Sequence, residues 1–402
     1  VRVFDRLYGG GGVSGRCLWA ANAYWGTPLR VGANHYARRL AERGWEVAFV
    51  SEPVSPLHLL RRAGRGEALD RLRDWRAGGG RDVAGRLFHY SPMTLLPHAT
   101  PAGLRSRVTL DHWQRWTLPG VVRKLKREGF GEVDLLVVDA VRQGFWLDAV
   151  AHGRSVLRVT DRLEAFPAVT AAMVKREREL IGRVDHVIYT AATLEEHVLD
   201  AKPRAATYVP NGADVGHFLR APGDAPPAKP AEYAGVETPI AVYVGAIASW
   251  FDVGLLCETA AQHRGVTFVV IGPVDTDVSA LRGLANVRLL GRRPYEALPG
   301  YLRHADVGLI PFKRNALVDG VSPIKLYEYL ASGLPVVATR WAELERVAPP
   351  AALCADAGDF VAAVGEVLAN PAGDAGRAAR IAFARGADWG GRLDLMLEAV
   401  GV

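Results

Sequence analysis

Short apolar runs rich in β-branched residues return along this chain at a spacing that crossover helices fill. RCLWAANA (16–23), WEVAFVSE (45–52), VDLLVVD (133–139), SVLRVTD (155–161) and HVIYTA (186–191) form a first series. PIAVYVGAI (239–247), VTFVVIG (266–272), VRLLG (287–291), DVGLIPF (306–312) and PVVAT (335–339) repeat the rhythm. Runs this short, alternating with helical patterns, predict parallel strands buried on both faces and therefore an α/β fold. One crossover is legible in detail: a helix over Val31–Arg43 with basic residues in its last turn, stopped by Gly44.

A chain of 402 residues exceeds one ordinary core, so two domains are expected. The segment APGDAPPAKPAEYAG (221–235) has the composition of a linker and separates the two series. We therefore expect a flexible leader over 1–16, an α/β domain over 17–218, a linker over 219–236, a second α/β domain over 237–385 and a closing segment over 386–402. Ahead of the linker, Asn211-Gly212 reads as a turn. Gly9–Gly12 lacks a preceding strand and GxGxxG spacing, so it reads as flexible rather than as a phosphate loop. Ligands of such sheets bind outside the carboxyl ends of the strands, which predicts a site in the cleft between the domains.

No stretch approaches the roughly 18 apolar residues of a spanning helix, and the first residues lack the apolar core of a signal peptide. Cys17, Cys257 and Cys354 are far apart and have no CxxC spacing, which fits a reducing, cytoplasmic setting without a disulfide or metal framework. The net charge of +6 is uneven: 32 Lys+Arg stand against 23 Asp+Glu up to Phe218, and 17 against 20 beyond it. A basic first half suits an anionic partner. Two segments there, 57–78 and 101–129, mix arginines with Leu, Val and Trp. They predict either ordinary amphipathic packing or peripheral contact with an anionic membrane on the inner face of the plasma membrane. Motifs that read DNA or RNA are missing, so nucleic acid is not an expected partner.

The most informative stretch is VSPIKLYEYLASGLPVVAT (321–339). Lys325, Glu328 and Ser332 fall on one helical face. Ser322-Pro323 ahead of them reads as a cap and a first-turn residue. A helix N-terminus presents free N–H groups and the positive end of a dipole, which suits a diphosphate. Lys325 in the first turn opposes that dipole, and a bound anion would remove the conflict. Glu328 suits the hydroxyls of a ribose; an exposed Lys325–Glu328 ion pair is the plain alternative.

This stretch, with VPNGAD, YVGAIASWFD, FVVIGP and NVRLLGRRPYEALPGYL in the same order, resembles the donor-binding half of GT-B glycosyltransferases like those of family 4. NAYWGTPLRVGANHYARRLAERG (22–44) and VLRVTDRLEAFP (156–167) resemble, more loosely, the xanthan-pathway β-glucuronosyltransferases, which are inverting GT-B enzymes acting on lipid-linked acceptors. The resemblance implies two Rossmann-like domains facing across a cleft, the first binding acceptor and the second binding a nucleotide sugar, with the closing helix returning to the first. It implies that Gly245, Ile247, Phe312, Ser322, Lys325 and Glu328 line the nucleotide sugar, with core packing the plain alternative for Phe312, and that Arg292 flanks the base or phosphates, with a solvated surface position its plain alternative. It further implies that Thr27, Arg30 and His35 lie in the acceptor cleft, a helix-surface histidine being the plain alternative for His35, and that Asp161 is the general base. For Asp161 the plain alternatives are a helix cap or an ion pair with Arg158 or Arg162.

One departure bears on stereochemistry. Retaining family-4 enzymes carry a first glutamate where this chain has Gly320, beside Asp319. The expectation is therefore a glycosyltransferase moving a sugar from a nucleotide-diphosphate donor, a UDP-sugar, to a saccharide or polyprenyl-linked saccharide with inversion. A retaining family-4-like enzyme and a nucleotide-sugar 2-epimerase of the same fold are the alternatives. No DxD stands where a divalent ion would gather, so metal-independent transfer without a cofactor is expected, with the leaving group stabilised by protein charges.

Overall fold

The computed structural model describes residues 15–27, 30–60, 65–99, 101, 103–219, 227–371 and 373–402. The GGGG run, Pro28, part of the basic segment 57–78 and most of the leader lie outside them. The chain forms two compact units, one of residues up to Pro210 together with Arg392–Val402, the other Asn211–Gly391.

The first unit holds β1 (Arg16–Ala20), β2 (Glu46–Val50), β3 (Gly80–Asp82), β4 (Leu87–Tyr90), β5 (Glu132–Val138), β6 (Ala151–Val159), β7 (His186–Tyr189) and β8 (Ala206–Tyr208) in one sheet. Their order is β3-β4-β2-β1-β5-β6-β7-β8, parallel throughout except for the β3–β4 pair. At the centre Leu18 of β1 pairs with Ala48 of β2 and Leu136 of β5, all fully buried. The helix over Gly32–Glu42 covers this centre, burying Ala33, Tyr36, Ala37 and Leu40. β3 and β8 carry little apolar signal (GRD and ATY) and sit at the two edges, where one neighbour suffices.

The second unit holds β9 (Ile240–Val244), β10 (Thr267–Ile271), β11 (Val287–Gly291), β12 (Val307–Ile310), β13 (Val336–Thr339) and β14 (Ala352–Cys354). They form an all-parallel sheet of order β11-β10-β9-β12-β13-β14. The chain reverses its direction of travel across this sheet between β9 and β12, and across the first between β1 and β5. Such switch points open crevices at strand carboxyl ends.

Three local expectations change. The division falls at Pro210/Asn211, ahead of the proline-rich segment, because Ala213 already bridges Asp388 inside the second unit. Asn211-Gly212 carries no turn. The described part of the expected linker, 227–236, is docked: Tyr233 is fully buried against Tyr301, and Glu232 accepts from Arg293 at 2.7 Å. An aromatic residue and a charge pair outweigh the proline content there. The closing helix runs Trp389–Val400. Among the described residues no helix is long and apolar enough to cross a membrane.

Candidate active site

In the second unit the site grows from two glycines. β9 ends at Gly245 (φ +147°) and β10 at Gly272 (φ +148°), backbone conformations that side chains disfavour. A Cβ on Gly272 would lie 1.9 Å from the Gly245 carbonyl oxygen, so the two turns stack only as glycines. A Cβ on Gly245 would lie 2.8 Å from Lys325 Cε and 3.1 Å from its Nζ. The missing side chain is what admits the lysine to the end of β9.

Lys325 reaches this position from the helix Ile324–Ala331, which is fixed from several sides. Its Tyr329 hydroxyl accepts from the Val244 N–H at 2.7 Å, satisfying a buried donor at the end of β9. The Tyr329 ring fits because residue 308 is glycine; a Cβ there would meet the ring at 2.5 Å. Ahead of the helix, Asn211 Nδ2 donates to the Ser322 carbonyl at 2.8 Å and Trp341 Nε1 to the Val321 carbonyl at 3.0 Å. Pro323, not Ser322, is the N-cap, and it makes no side-chain cap bond. Proline's extended backbone starts the helix at Ile324, which leaves Ser322 outside it. The Ser322 hydroxyl is buried with no hydrogen-bond partner among the described residues.

The half-buried Lys325 ammonium lies 4.5 Å from the Phe312 ring centre and 5.2 Å from that of Tyr243. Burial pulls it down to about 8, opposed by the Glu328 carboxylate. Glu328 is buried and pushed up to about 7, chiefly by burial, with Lys325 opposing and Asp214 reinforcing. No Lys325–Glu328 ion pair forms among the described residues, so the exposed-bridge alternative does not describe this pair. A half-buried cation over two aromatic faces, beside a helix N-terminus and a buried hydroxyl, is an arrangement for binding an anion.

The remaining expected donor residues divide. Phe312 supplies one of the faces under Lys325 and stacks on Trp341 at 5.8 Å. Ile247 is buried, its backbone bridging the loop after β10 at Val274. Arg292 is exposed beyond β11, the edge strand, two strands removed from β9. Its neighbour Arg293 is tied to Glu232 and Tyr301. Asp275-Thr276-Asp277 follows β10, and Asp277 accepts from the Ser279 N–H at 2.9 Å.

In the first unit Asp161 follows β6. It is half-buried, accepts from the Thr160 hydroxyl at 2.9 Å and takes part in no ion pair among the described residues. Both cations named as alternatives are engaged elsewhere. Arg158 is buried against Asp139 at 3.2 Å, its guanidinium over the Tyr36 ring, and Arg162 lies 4.0 Å from Glu164. Burial holds Asp161 above its usual range; Thr160 and Arg158 oppose this, while Asp139 and Glu177 add to it. The Trp19–Tyr36 stack beneath Arg158, and Asp139 itself, carry no motif and were not among the expected site residues. Trp19 and Asp139 stand at the carboxyl ends of β1 and β5, and Tyr36 on the helix Gly32–Glu42.

His35 is buried in the first turn of Gly32–Glu42 rather than on its surface, because that turn packs onto the sheet. Thr27 and Arg30, both half-buried, flank the loop leading into it. Among the described residues Glu164, Glu177 and His197 bring ligand atoms within 4.8 Å of one another. His197 lies 2.9 Å from Glu177, and that bond chiefly raises its affinity for a proton.

Both halves match known domains. Residues 238–370 match the model of group 1 glycosyl transferases, and residues 19–190 match the N-terminal domain of the glucuronosyltransferase GumK. A putative teichuronic acid biosynthesis glycosyltransferase, TuaH of Bacillus subtilis (strain 168), is 32% identical over 155 residues, which are 37% of this chain and 39% of that protein. Among solved structures, sucrose-phosphate synthase of Thermosynechococcus elongatus superposes with a TM-score of 0.67 at 16% identity, covering 95% of this chain and 97% of that one. Anabaena HepE in complex with UDP and glucose gives 0.63 at 14%, covering 96% and 99%. At these identities the structures show the fold. The fold is GT-B, and each half matches a glycosyltransferase domain model over less than half of the chain.

Proposed function

We propose that this protein transfers a sugar from a UDP-sugar to a saccharide or lipid-linked saccharide, with inversion, in polysaccharide or glycoconjugate synthesis. The observation that carries the donor half is Lys325, brought onto Gly245 at the carboxyl end of β9 beside the N-terminus of its own helix. That N-terminus and the ammonium neutralise the diphosphate, the Ser322 hydroxyl gains a partner, and Glu328 receives the ribose hydroxyls. UDP in the complexes of HepE, a protein of the same fold, fits this choice of nucleotide.

The acceptor half rests on Asp161. Its carboxylate removes the proton from an acceptor hydroxyl as that oxygen attacks the anomeric carbon. The bond from that carbon to the β-phosphate oxygen breaks on the opposite face, and UDP departs with the electron pair. Lys325 and the helix amides meet the charge as it develops, so the transfer needs no metal. Asp161 then returns its proton to water. Gly320 carries no carboxylate for the transferred sugar, which favours inversion over retention. A cytoplasmic protein peripheral to the inner membrane face fits a lipid-linked acceptor.

The test is a calorimetric titration of the protein and of Lys325→Ala with UDP and GDP, followed by the anomeric configuration of any product. Selective UDP binding that the variant loses, and an inverted product, are expected. Equal binding by the variant would sink the diphosphate role, and a retained product would sink the role of Asp161.

A further inference from the structure

We infer that a cavity at the amino ends of β13 and β14 is a binding site for a small phosphate-bearing anion. The helix Ile324–Ala331 carries Lys325 in its first turn and stops at Gly333, whose φ of +73° is the left-handed conformation of a helix end. Two arginines of a second helix, Asp374–Arg385, converge on this glycine. Arg380 donates from Nε to the Gly333 carbonyl at 2.9 Å. A Cβ on Gly333 would lie 2.8 Å from the Arg377 Cγ and 2.9 Å from its Cζ, so the bare glycine makes room for a second guanidinium. Arg380 also lines a cavity of about 200 Å³, together with Pro335, Val336, Pro350, Val367 and Asn370. That space far exceeds what one water needs. Its lining side chains are apolar apart from the Arg380 guanidinium and the Asn370 amide. The cavity lies at the strand ends opposite to Gly245 and Gly272. Lys325 and Gly333 stand about 12 Å apart along the helix axis, so an anion here leaves the proposed diphosphate position open.

Charge without a counter-charge marks the site. Arg380 is only 7% exposed, Arg377 is half-buried, and Arg303 stands near Arg377 at the surface. None of the three is in an ion pair among the described residues. Buried arginines are ordinarily paired, because removing an unneutralised charge from water is costly. Burial, and then Arg377, lowers the proton affinity of Arg380. Burial, and then Arg303, lowers that of Arg377, with Asp374 opposing. Asp374 is exposed in the first turn of the arginines' own helix, and no ion pair joins it to them. The Gly333 carbonyl answers one N–H of a group that carries five, so capping the helix leaves most of the charge unmet. A guanidinium is a planar fork of donors that matches phosphate. A phosphate dianion balances two such groups, where a single carboxylate would balance one. This site does not depend on the transfer chemistry proposed above.

The test is calorimetric titration of the full chain with inorganic phosphate, against chloride at matched ionic strength, with melting temperatures measured alongside. Saturable phosphate binding that raises the melting temperature is expected. Arg380→Met should weaken it by about tenfold or more, and Arg377→Gln by about fivefold or more, through lost charge-assisted hydrogen bonds. Arg377 is half-buried, so its variant serves should Arg380→Met fail to fold. Lys325→Ala should bind phosphate as the parent does, which separates this site from the donor site. Without phosphate, Arg377→Gln should melt no lower than the parent, because the change relieves repulsion among the guanidiniums. A lower melting temperature in that variant, with phosphate lacking effect on the parent, would reduce the arginines to a helix cap and overturn the inference. So would an equal response to chloride, phosphate binding untouched by the arginine changes, or binding lost in Lys325→Ala.

Discussion

The two units are both parallel sheets, yet they furnish their strand ends in opposite ways. In the second unit β9 and β10 end in glycines, and the site is made of backbone, a helix terminus and one lysine let in by the absence of a Cβ. In the first, β5 and β6 end in Asp139 and Thr160-Asp161, with Arg158 and the Tyr36 ring packed between charges. The difference fits the division of labour proposed for the transfer. An anion is held by amides and a cation that need room to approach. A base works best when burial raises its proton affinity and nearby cations are occupied elsewhere. Asp139 occupies Arg158, and Asp161 accepts from the Thr160 hydroxyl with no ion pair among the described residues.

If this division is right, each half can be broken without the other. Asp161→Asn should leave UDP binding intact while slowing transfer by roughly 10²–10⁴-fold. Single-turnover rates alongside calorimetry separate the two, and near-normal turnover would remove Asp161 from the reaction. Lys325→Ala should strike UDP binding first. Losing a charge-assisted contact to the diphosphate costs about 1.5–3 kcal/mol, or roughly 10–100-fold in UDP affinity. Transfer at saturating donor should also fall, because the same ammonium meets the leaving charge.

The same contrast explains what was legible before the structure. Strands of the second unit are marked by apolar runs, Lys325 and Glu328 stood out by their spacing on one helical face, and Gly245 by the resemblance. Tyr329 did not, since a tyrosine in an apolar helix gives no sign that its hydroxyl reaches the end of another strand. The space for its ring is made by Gly308, distant in sequence. The first unit was harder to read. Asp139 and Arg158 lie far enough apart in the chain that only the pairing of β5 with β6 reveals them as partners. β3 and β8 were not legible because an edge strand needs little apolar sequence. Ser322 was misread as a cap because the spacing of a cap was present, but proline's extended backbone moved the helix start by one residue.

Protonation gives the finest test of the donor half. Only the ammonium form of Lys325 attracts a diphosphate. Burial pulls this group down to about 8, so the attraction is complete below that pH and is lost as pH rises through it. UDP affinity should therefore fall above about pH 8 by up to tenfold per unit. Lys325→Arg should flatten the profile, because arginine keeps its charge throughout. Glu328 then sharpens the assignment. Its carboxylate raises the proton affinity of Lys325, so Glu328→Gln should move the alkaline break to lower pH. Loss of its ribose contacts alone would weaken binding equally at every pH. Titrations of parent and variant from neutral to alkaline pH distinguish the two effects. A break that stays in place would mean that Glu328 acts on the ribose and not on the lysine.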